Sequence, residues 1–354
     1  MDIQNLRRKI DDLDAKIVDL LNQRAQITLD IGKHKLKNNA SIYAPAREKQ
    51  VLDRIKALSK GSLTKESLEA IYREIMSASL ALEKPLRIAA LGKKGAYTYS
   101  AAQKIFGKQV SYDCCQDIPE IFRRVESGEC DQGVVPIENS TEGIVTPTVD
   151  LLVDSELKIC RQVMLPIKHN LLSNTSKNNI KKVYSNAQVF NQCRHWLLQH
   201  LPNAGLIPVA STTEAAERAS HEKNAAALAS LEAAEEYGLK VLESNISDLA
   251  HNTTRFCVIG TSSAAPTGRD RTSLVFSIKD KVGALHAMLT PFYKNKINLT
   301  KIESRPSKKK AWDYYFFIDL EGHQDDPHVK RALSQLEGMC KFMKILGSYP
   351  VIES

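Results

Sequence analysis

Arg24 stands where an aliphatic residue belongs. Ile3, Leu6, Ile10, Leu13, Ile17, Leu20, Ile27 and Ile31 keep a seven-residue repeat, the mark of a long helix buried along one seam, and Arg24 falls between Ile17 and Ile31. A buried cation without a partner is costly. Either Arg24 snorkels to the edge of the seam and fixes register, or it meets an anion inside a helical bundle. Its neighbours favour the anion. Arg7 and Lys35 flank the same seam, and Arg47 and Glu48 open the next helical stretch. Ser79 and Glu83 sit four apart and extend the apolar stripe of Leu68, Tyr72 and Ile75. Polar groups on the core stripe of three helices suggest one lined cavity. Arg7 and Arg24 are seventeen residues apart, roughly 25 Å along a straight helix. No small ligand spans that distance, so a site using both takes Arg7 from a second copy in an intertwined dimer.

Glu83 ends its stripe just before Pro85, where the negative end of the helix dipole disfavours a carboxylate. It is therefore not there for helix stability. It is either a solvated end residue or part of the cavity.

A second group of polar residues follows apolar runs. "GVVPIENSTEG" (133–143) ends a buried strand in Glu138, Asn139, Ser140 and Thr141, and α/β sheets bind ligands beyond the carboxyl ends of their strands. "NTTRFCVIG" (252–260) puts Thr253, Thr254 and Arg255 just before another buried strand. Each is a polar cap taken singly; together they suggest a cleft. "ALGKKGAYTYSAA" (90–102) carries Gly92 and Gly95 but lacks the third glycine and the spacing of a dinucleotide fingerprint. A phosphate loop and a tight turn capped into a helix by Ser100 both stay open.

These groups need three kinds of scaffold. Residues 1 to about 84 read as entirely helical: a long first helix, a second from about Arg47 to Leu58 after "YAPARE", and a third with Thr64 as N-cap that ends before Pro85. From "LRIAALG" onward, strand-like runs alternate with helical stretches, which predicts an α/β unit with a largely parallel sheet over 86–260. "TSSAAPTGRDR" (261–271) reads as a linker. Residues 271–354 then give strand 272–278, helix 282–294, strands 297–304 and 312–320, helix 326–337 and strand 341–348. That βαββαβ order is ferredoxin-like. "SKKKAW" (307–312) is expected at a solvated hairpin tip.

Composition narrows the function classes. The formal charge is +8, compatible with nucleic acid but equally with small, multiply anionic substrates. Aromatic residues are 6%, too few and too scattered for a single-strand stacking platform. Seven scattered cysteines without a C-x-x-C pair indicate neither a disulfide framework nor a metal site. The charged N-terminus and the lack of a membrane-length apolar run lead us to expect a soluble cytoplasmic protein, with no nucleic-acid or membrane partner.

"LRRKIDDLD", "LLNQRAQI", "IGKHKLKN", "APAREKQVL" and "SLALE" resemble, in order, the all-helical chorismate mutase family. The resemblance implies that Arg7 of a second copy, Arg24 and Arg47 grip carboxylates. It further implies that Lys35 bonds the ether oxygen of chorismate, Glu48 its hydroxyl, and that Ser79 adds a polar contact. The position of Glu83 commonly carries glutamine in that family. A glutamate donates a hydrogen bond only when protonated, so mutase activity is expected to fall as pH rises and Glu83 loses its proton.

"GVVPIENSTEG", "VYSNAQVFNQC" and "NTTRFCVIG" resemble the prephenate dehydratase family, whose catalytic part has two lobes like a type 2 periplasmic binding protein. By this resemblance Thr254 donates to the departing hydroxyl and Arg255 pairs with a carboxylate. Asn139, Ser140, Thr141, Ser185 and Gln188 line the cleft. Two departures stand out: Asn186-Ala187 where the family usually has His-Pro, and Lys93 in place of a common proline.

"DKVGALHAML" and "KIESRP" resemble the ACT regulatory domain. This implies a phenylalanine site formed by Gly283, Ala284, Leu285, Glu303, Ser304, Arg305 and Pro306.

The three resemblances cover the chain in the order of the bifunctional chorismate mutase/prephenate dehydratase family. They imply a feedback-regulated enzyme of phenylalanine biosynthesis that works without cofactor or metal, as a homodimer or a pair of dimers. Two rivals remain. One is an amino-acid-responsive binding protein with inactive domains; the other is a nicotinamide-dependent prephenate dehydrogenase, which the missing dinucleotide fingerprint disfavours.

Overall fold

The computed structural model describes residues 2–38, 43–249, 251–278, 282–307 and 314–351. The chain divides into two compact units, the first comprising residues 1–86 with 106–111 and the second the remainder.

The first unit contains α1 (Ile3–Lys37), α2 (Pro45–Leu58) and α3 (Lys65–Glu83). Pro45 opens α2, where its missing N–H removes nothing. The Thr64 hydroxyl caps α3 by accepting from the Ser67 amide. Gly32 lets α1 meet the end of α3: a Cβ there would stand 3.1 Å from the Glu83 Cα. The apolar seam of α1 is open, with Ile3, Leu6, Ile10, Leu13, Ile17, Leu20, Ile27 and Ile31 at 44–62% exposure.

In the second unit, the chain order is β1 (Arg87–Leu91), α4 (Tyr97–Phe106), β2 (Ser111–Cys115), α5 (Ile118–Glu126), β3 (Gln132–Asn139), β4 (Gly143–Ile144), α6 (Thr146–Asp154) and β5 (Lys158–Pro166). There follow β6 (Asn170–Ser173), β7 (Lys182–Ser185), α7 (Ala187–Gln192), α8 (Arg194–His200), β8 (Gly205–Pro208), α9 (Thr212–His221), β9 (Ala225–Ala229), α10 (Leu231–Tyr237) and β10 (Lys240–Glu243). After these, β11 (Thr253–Gly260) returns to the first sheet. The sheets run β2-β1-β3-β11-β5, with β4 on β3, and β10-β6-β9-β7-β8. They are two lobes, and the chain crosses between them twice.

The sheets are mixed rather than largely parallel. β1 pairs β3 in parallel, and β7 pairs both β8 and β9 in parallel. β11 runs antiparallel to β3 and β5, and β6 antiparallel to β9 and β10. β6 and β11 enter straight from the other lobe, so no crossover helix sets their direction.

The last segment gives β12 (Asp270–Ser277), α11 (Ala284–Lys294), β13 (Leu299–Pro306), β14 (Tyr314–Glu321), α12 (Pro327–Glu337) and β15 (Phe342–Pro350). Its sheet order is β13-β14-β12-β15. The expected hairpin tip lies, from Lys308 to Trp312, outside the described residues. One face of this sheet joins the first lobe in a common core: Val275, Phe317 and Leu346 cluster with Ile121, Leu152 and Ile159. Gly347 permits the approach, since a Cβ there would fall 2.1 Å from the Ile159 carbonyl oxygen. Among the described residues no helix is long and apolar enough to cross a membrane.

Candidate active sites

In the helical unit, two of the expected pairs meet. The Arg24 guanidinium donates to the Ser79 hydroxyl, which itself donates to the Ile75 carbonyl at 2.8 Å. Lys35 Nζ lies 2.7 Å from Glu83 Oε2, with the Glu83 side chain only 9% exposed. Glu83 is thus a buried, cation-paired carboxylate and not a solvated helix end. Arg47 is exposed and bonds Gln50 on its own helix at 3.3 Å, and Glu48 is half-buried. Arg7 lies on the exposed early part of α1, away from the Arg24 group.

Between the two α/β lobes lies a cavity of about 320 Å³. Asn139, Gln188, Gln192, Asn252 and Thr254 reach it, with Tyr97 and His169 beside them. All of these side chains but Gln188 form one hydrogen-bonded chain, whose direction is fixed at two places. The Glu142 carboxylate only accepts, so the Gln192 amide nitrogen faces it at 3.0 Å and the Gln192 oxygen turns the other way. That oxygen accepts from Asn252 Nδ2 at 3.1 Å and from His169 Nε2 at 2.8 Å. Independently, backbone N–H groups of Thr141 and Glu142 donate to Asn139 Oδ1 at 2.9 and 3.1 Å. The Asn139 amide nitrogen must then donate to Asn252 Oδ1 and to Thr254 Oγ1, both at 2.8 Å. Thr254 therefore accepts from Asn139, and among the described residues nothing takes its own hydrogen.

His169 ends the chain. An amide oxygen only accepts, so Nε2 carries the hydrogen and Nδ1 faces the Tyr97 hydroxyl at 3.0 Å. Burial pushes the His169 pKa down, partly offset by the Gln192 bond. Burial likewise raises that of Tyr97.

Arg255 is placed elsewhere than expected. Successive strand residues face opposite sides, so when Thr254 faces the cavity Arg255 faces away. Its guanidinium is 6% exposed, 2.5 Å from Asp319 and 3.3 Å from Glu138. Burial, the largest single influence, lowers its pKa, but Asp319 together with Tyr349 and Cys257 outweighs it and the net shift is upward. Ser185 is also corrected: it is fully buried and donates to the Leu228 carbonyl at 2.8 Å. Ser140 donates to the His251 carbonyl and accepts from the Thr253 amide, and so braces the loop. The Thr141 hydroxyl donates to Asn139 Oδ1 at 2.6 Å.

With Arg255 turned away, the positive ends available to an anion in the cavity are helix N-termini. The first residues of α4 (Tyr97, Thr98) and of α9 (Thr212, Thr213) line it. The Asn186 side chain caps α7 by accepting from Gln188 N and donates to the Ala210 carbonyl, which accommodates the absent His-Pro. Lys93 is exposed and pairs with Glu217 of the other lobe at 3.2 Å. Gln192, Asn252, His169 and Tyr97 escaped the sequence reading. The signal was present for Gln192, in "QVFNQC", and for Asn252, next to the "TTR" stretch.

In the last segment Gly283 has φ +77° and caps α11, with Ala284 buried and Leu285 exposed. Asp280 and Lys281 of the same motif lie outside the described residues. Glu303, Ser304, Arg305 and Pro306 end β13. The Arg305 guanidinium turns to α6, donating to Thr146 Oγ1 at 2.5 Å.

Both sites gather charged and hydrogen-bonding groups of the kind that hold and polarise a substrate. Family models described as chorismate mutase type II, prephenate dehydratase and ACT domain match residues 6–84, 88–264 and 272–338. A bifunctional chorismate mutase/prephenate dehydratase of Aquifex aeolicus is 46% identical, over 99% of this chain and 98% of its own. One from Stutzerimonas stutzeri is 43% identical over 98% and 97%. Among solved structures, the prephenate dehydratase of Arthrobacter aurescens in complex with L-Phe is 34% identical with a TM-score of 0.69, covering 75% of this chain and 90% of that one. The chain belongs to the bifunctional chorismate mutase/prephenate dehydratase family.

Proposed function

We propose that the chain rearranges chorismate to prephenate in residues 1–84, converts prephenate to phenylpyruvate in residues 86–260, and senses phenylalanine through residues 271–354. The first step is pericyclic and needs no proton transfer. Arg24, Arg47 and the Arg7 of a second copy hold the dicarboxylate in its folded conformer, with Ser79 fixing Arg24. Lys35, paired with Glu83 at 2.7 Å, meets the ether oxygen, where negative charge develops as the C–O bond breaks, while Glu48 takes the hydroxyl. The open apolar seam of α1 supports a homodimer or a pair of dimers, since a second helix would cover it. We place the protein in the cytoplasm.

In the second step the ring loses its hydroxyl and one carboxylate together, and aromatisation supplies much of the driving force. The departing oxygen accumulates negative charge and needs a donor. The observation that carries the assignment is the Asn139 amide bonding Thr254 Oγ1 at 2.8 Å, which leaves the Thr254 hydrogen for the cavity. The N-termini of α4 and α9 face the carboxylates, and Gln188 adds a polar contact.

The L-Phe bound by the Arthrobacter relative supports phenylalanine as the ligand of the last segment, at Gly283–Leu285 and Glu303–Pro306. Purified protein given chorismate alone should form prephenate and then phenylpyruvate. Thr254→Ala should stop at prephenate with the mutase rate intact. Phenylpyruvate formed at the native rate by that variant would refute the assignment.

A further inference from the structure

Asn139 and Thr254 stand on adjacent antiparallel strands, paired directly across from one another, and the next pair in the ladder is Glu138 with Arg255. The first pair faces the cavity and the second faces the C-terminal sheet. There, Arg255 meets Asp319 of β14 at 2.5 Å and Glu138 at 3.3 Å, and Lys301 of β13 meets Glu138 at 2.8 Å. Lys301 and Asp319 are themselves cross-strand partners. Three ion pairs join two cations and two anions into a square whose fourth side, Lys301 to Asp319, is strand pairing alone. Its side chains are 6% exposed at Arg255 and Asp319, 13% at Lys301 and 34% at Glu138. Ser273 Oγ donates to the second Asp319 oxygen at 2.5 Å.

Holding two domains together does not require such a square. The apolar core they share already does that, and a largely buried ion-pair group rarely outperforms apolar packing in stability. What charges add is position. A guanidinium fork between two carboxylates fixes the strand that bears it more closely than aliphatic contact does. The ladder register also shifts immediately after Arg255, so this end of β11 is where its backbone departs from regular pairing.

We propose that Arg255 and Glu138 are positioning residues of the dehydratase. Anchored by Asp319 and Lys301, they hold from behind the strand ends that present Thr254 and Asn139. The C-terminal domain is on this view part of the structure that sets the Thr254–Asn139 geometry, apart from any ligand it binds. The inference rests on Thr254 and Asn139 forming the dehydratase centre.

The test uses the full chain with prephenate and chorismate assayed separately. Glu138→Lys and Lys301→Glu singly should each lower the dehydratase kcat tenfold or more, with KM changed less than threefold and the mutase rate unchanged. Lys301→Met and Arg255→Lys, which place no like charges together, serve if the reversals do not fold, and each should lower kcat severalfold. The proposal is overturned by single reversals within twofold of native kcat or by a rise in KM alone. Where the reversals do not fold, native kcat in both milder variants overturns it. Full dehydratase activity in Thr254→Ala would instead remove the underlying reading.

Discussion

Asn139→Asp removes the two bonds that the Asn139 amide donates at the dehydratase centre while leaving the side chain's shape alone. The Asn139 oxygen accepts from Thr141 N, Thr141 Oγ1 and Glu142 N, and its amide nitrogen donates to Asn252 and Thr254. Aspartate keeps the three accepting bonds, so the loop after β3 should hold. Its second oxygen can only accept, and Thr254 then turns its hydrogen toward the carboxylate. A hydrogen bond to a charged group is worth about 1.5–3 kcal/mol. To serve the substrate, Thr254 must give that bond up, which lowers kcat about 10- to 150-fold at about 1.4 kcal/mol per decade. The added negative charge should also raise KM for an anionic substrate. Prephenate turnover, with chorismate turnover as the control, reads both effects. Lowering the pH should recover part of kcat, because a protonated aspartic acid can again donate. A dehydratase kcat within threefold of native would refute the polarity argument. Parallel loss of both activities in folded protein would do so too.

Two further outcomes are expected. Glu83→Gln, which replaces the carboxylate held by Lys35 with an amide able to donate, should change the mutase kcat or KM severalfold; native values of both in the variant would leave Glu83 without a role at this site. His169 is buried with its pKa lowered from 6.5, chiefly by burial. The unfolded chain therefore binds the proton more readily, so this contribution to stability is full above pH 6.5 and is lost as pH falls toward the folded value. His169→Gln should make the denaturant midpoint fall less steeply below that pH, by a slope of up to about 1.4 kcal/mol per pH unit. Equal slopes in the two proteins would count against a buried neutral imidazole.

Much of the architecture is written locally. Pro45, Thr64 and Pro85 punctuate the three helices because each acts on the backbone within one turn. The βαββαβ order over 271–354 is legible because apolar period and turn residues are local as well. Arg24 declared itself by breaking a repeat, and the structure gives it Ser79 as its partner. Arg255 shows where local reading stops. Strand alternation states that Thr254 and Arg255 face opposite sides, but not which side is the cavity.

That choice came from the C-terminal sheet packing behind β11, which claims Arg255 for Asp319, 64 positions along the chain. The chain of Tyr97, His169, Gln192, Asn252, Asn139 and Thr254 has the same origin. Each side chain has several permitted partners, and the directions of the bonds from His169 to Thr254 were decided only where Glu142 and two backbone amides meet them in space. Sequence by itself determined the elements, their order and the residue types able to do this chemistry, because those depend on near neighbours. Tertiary structure decided which hydroxyl keeps a free hydrogen, because a hydrogen bond's direction depends on every partner at once.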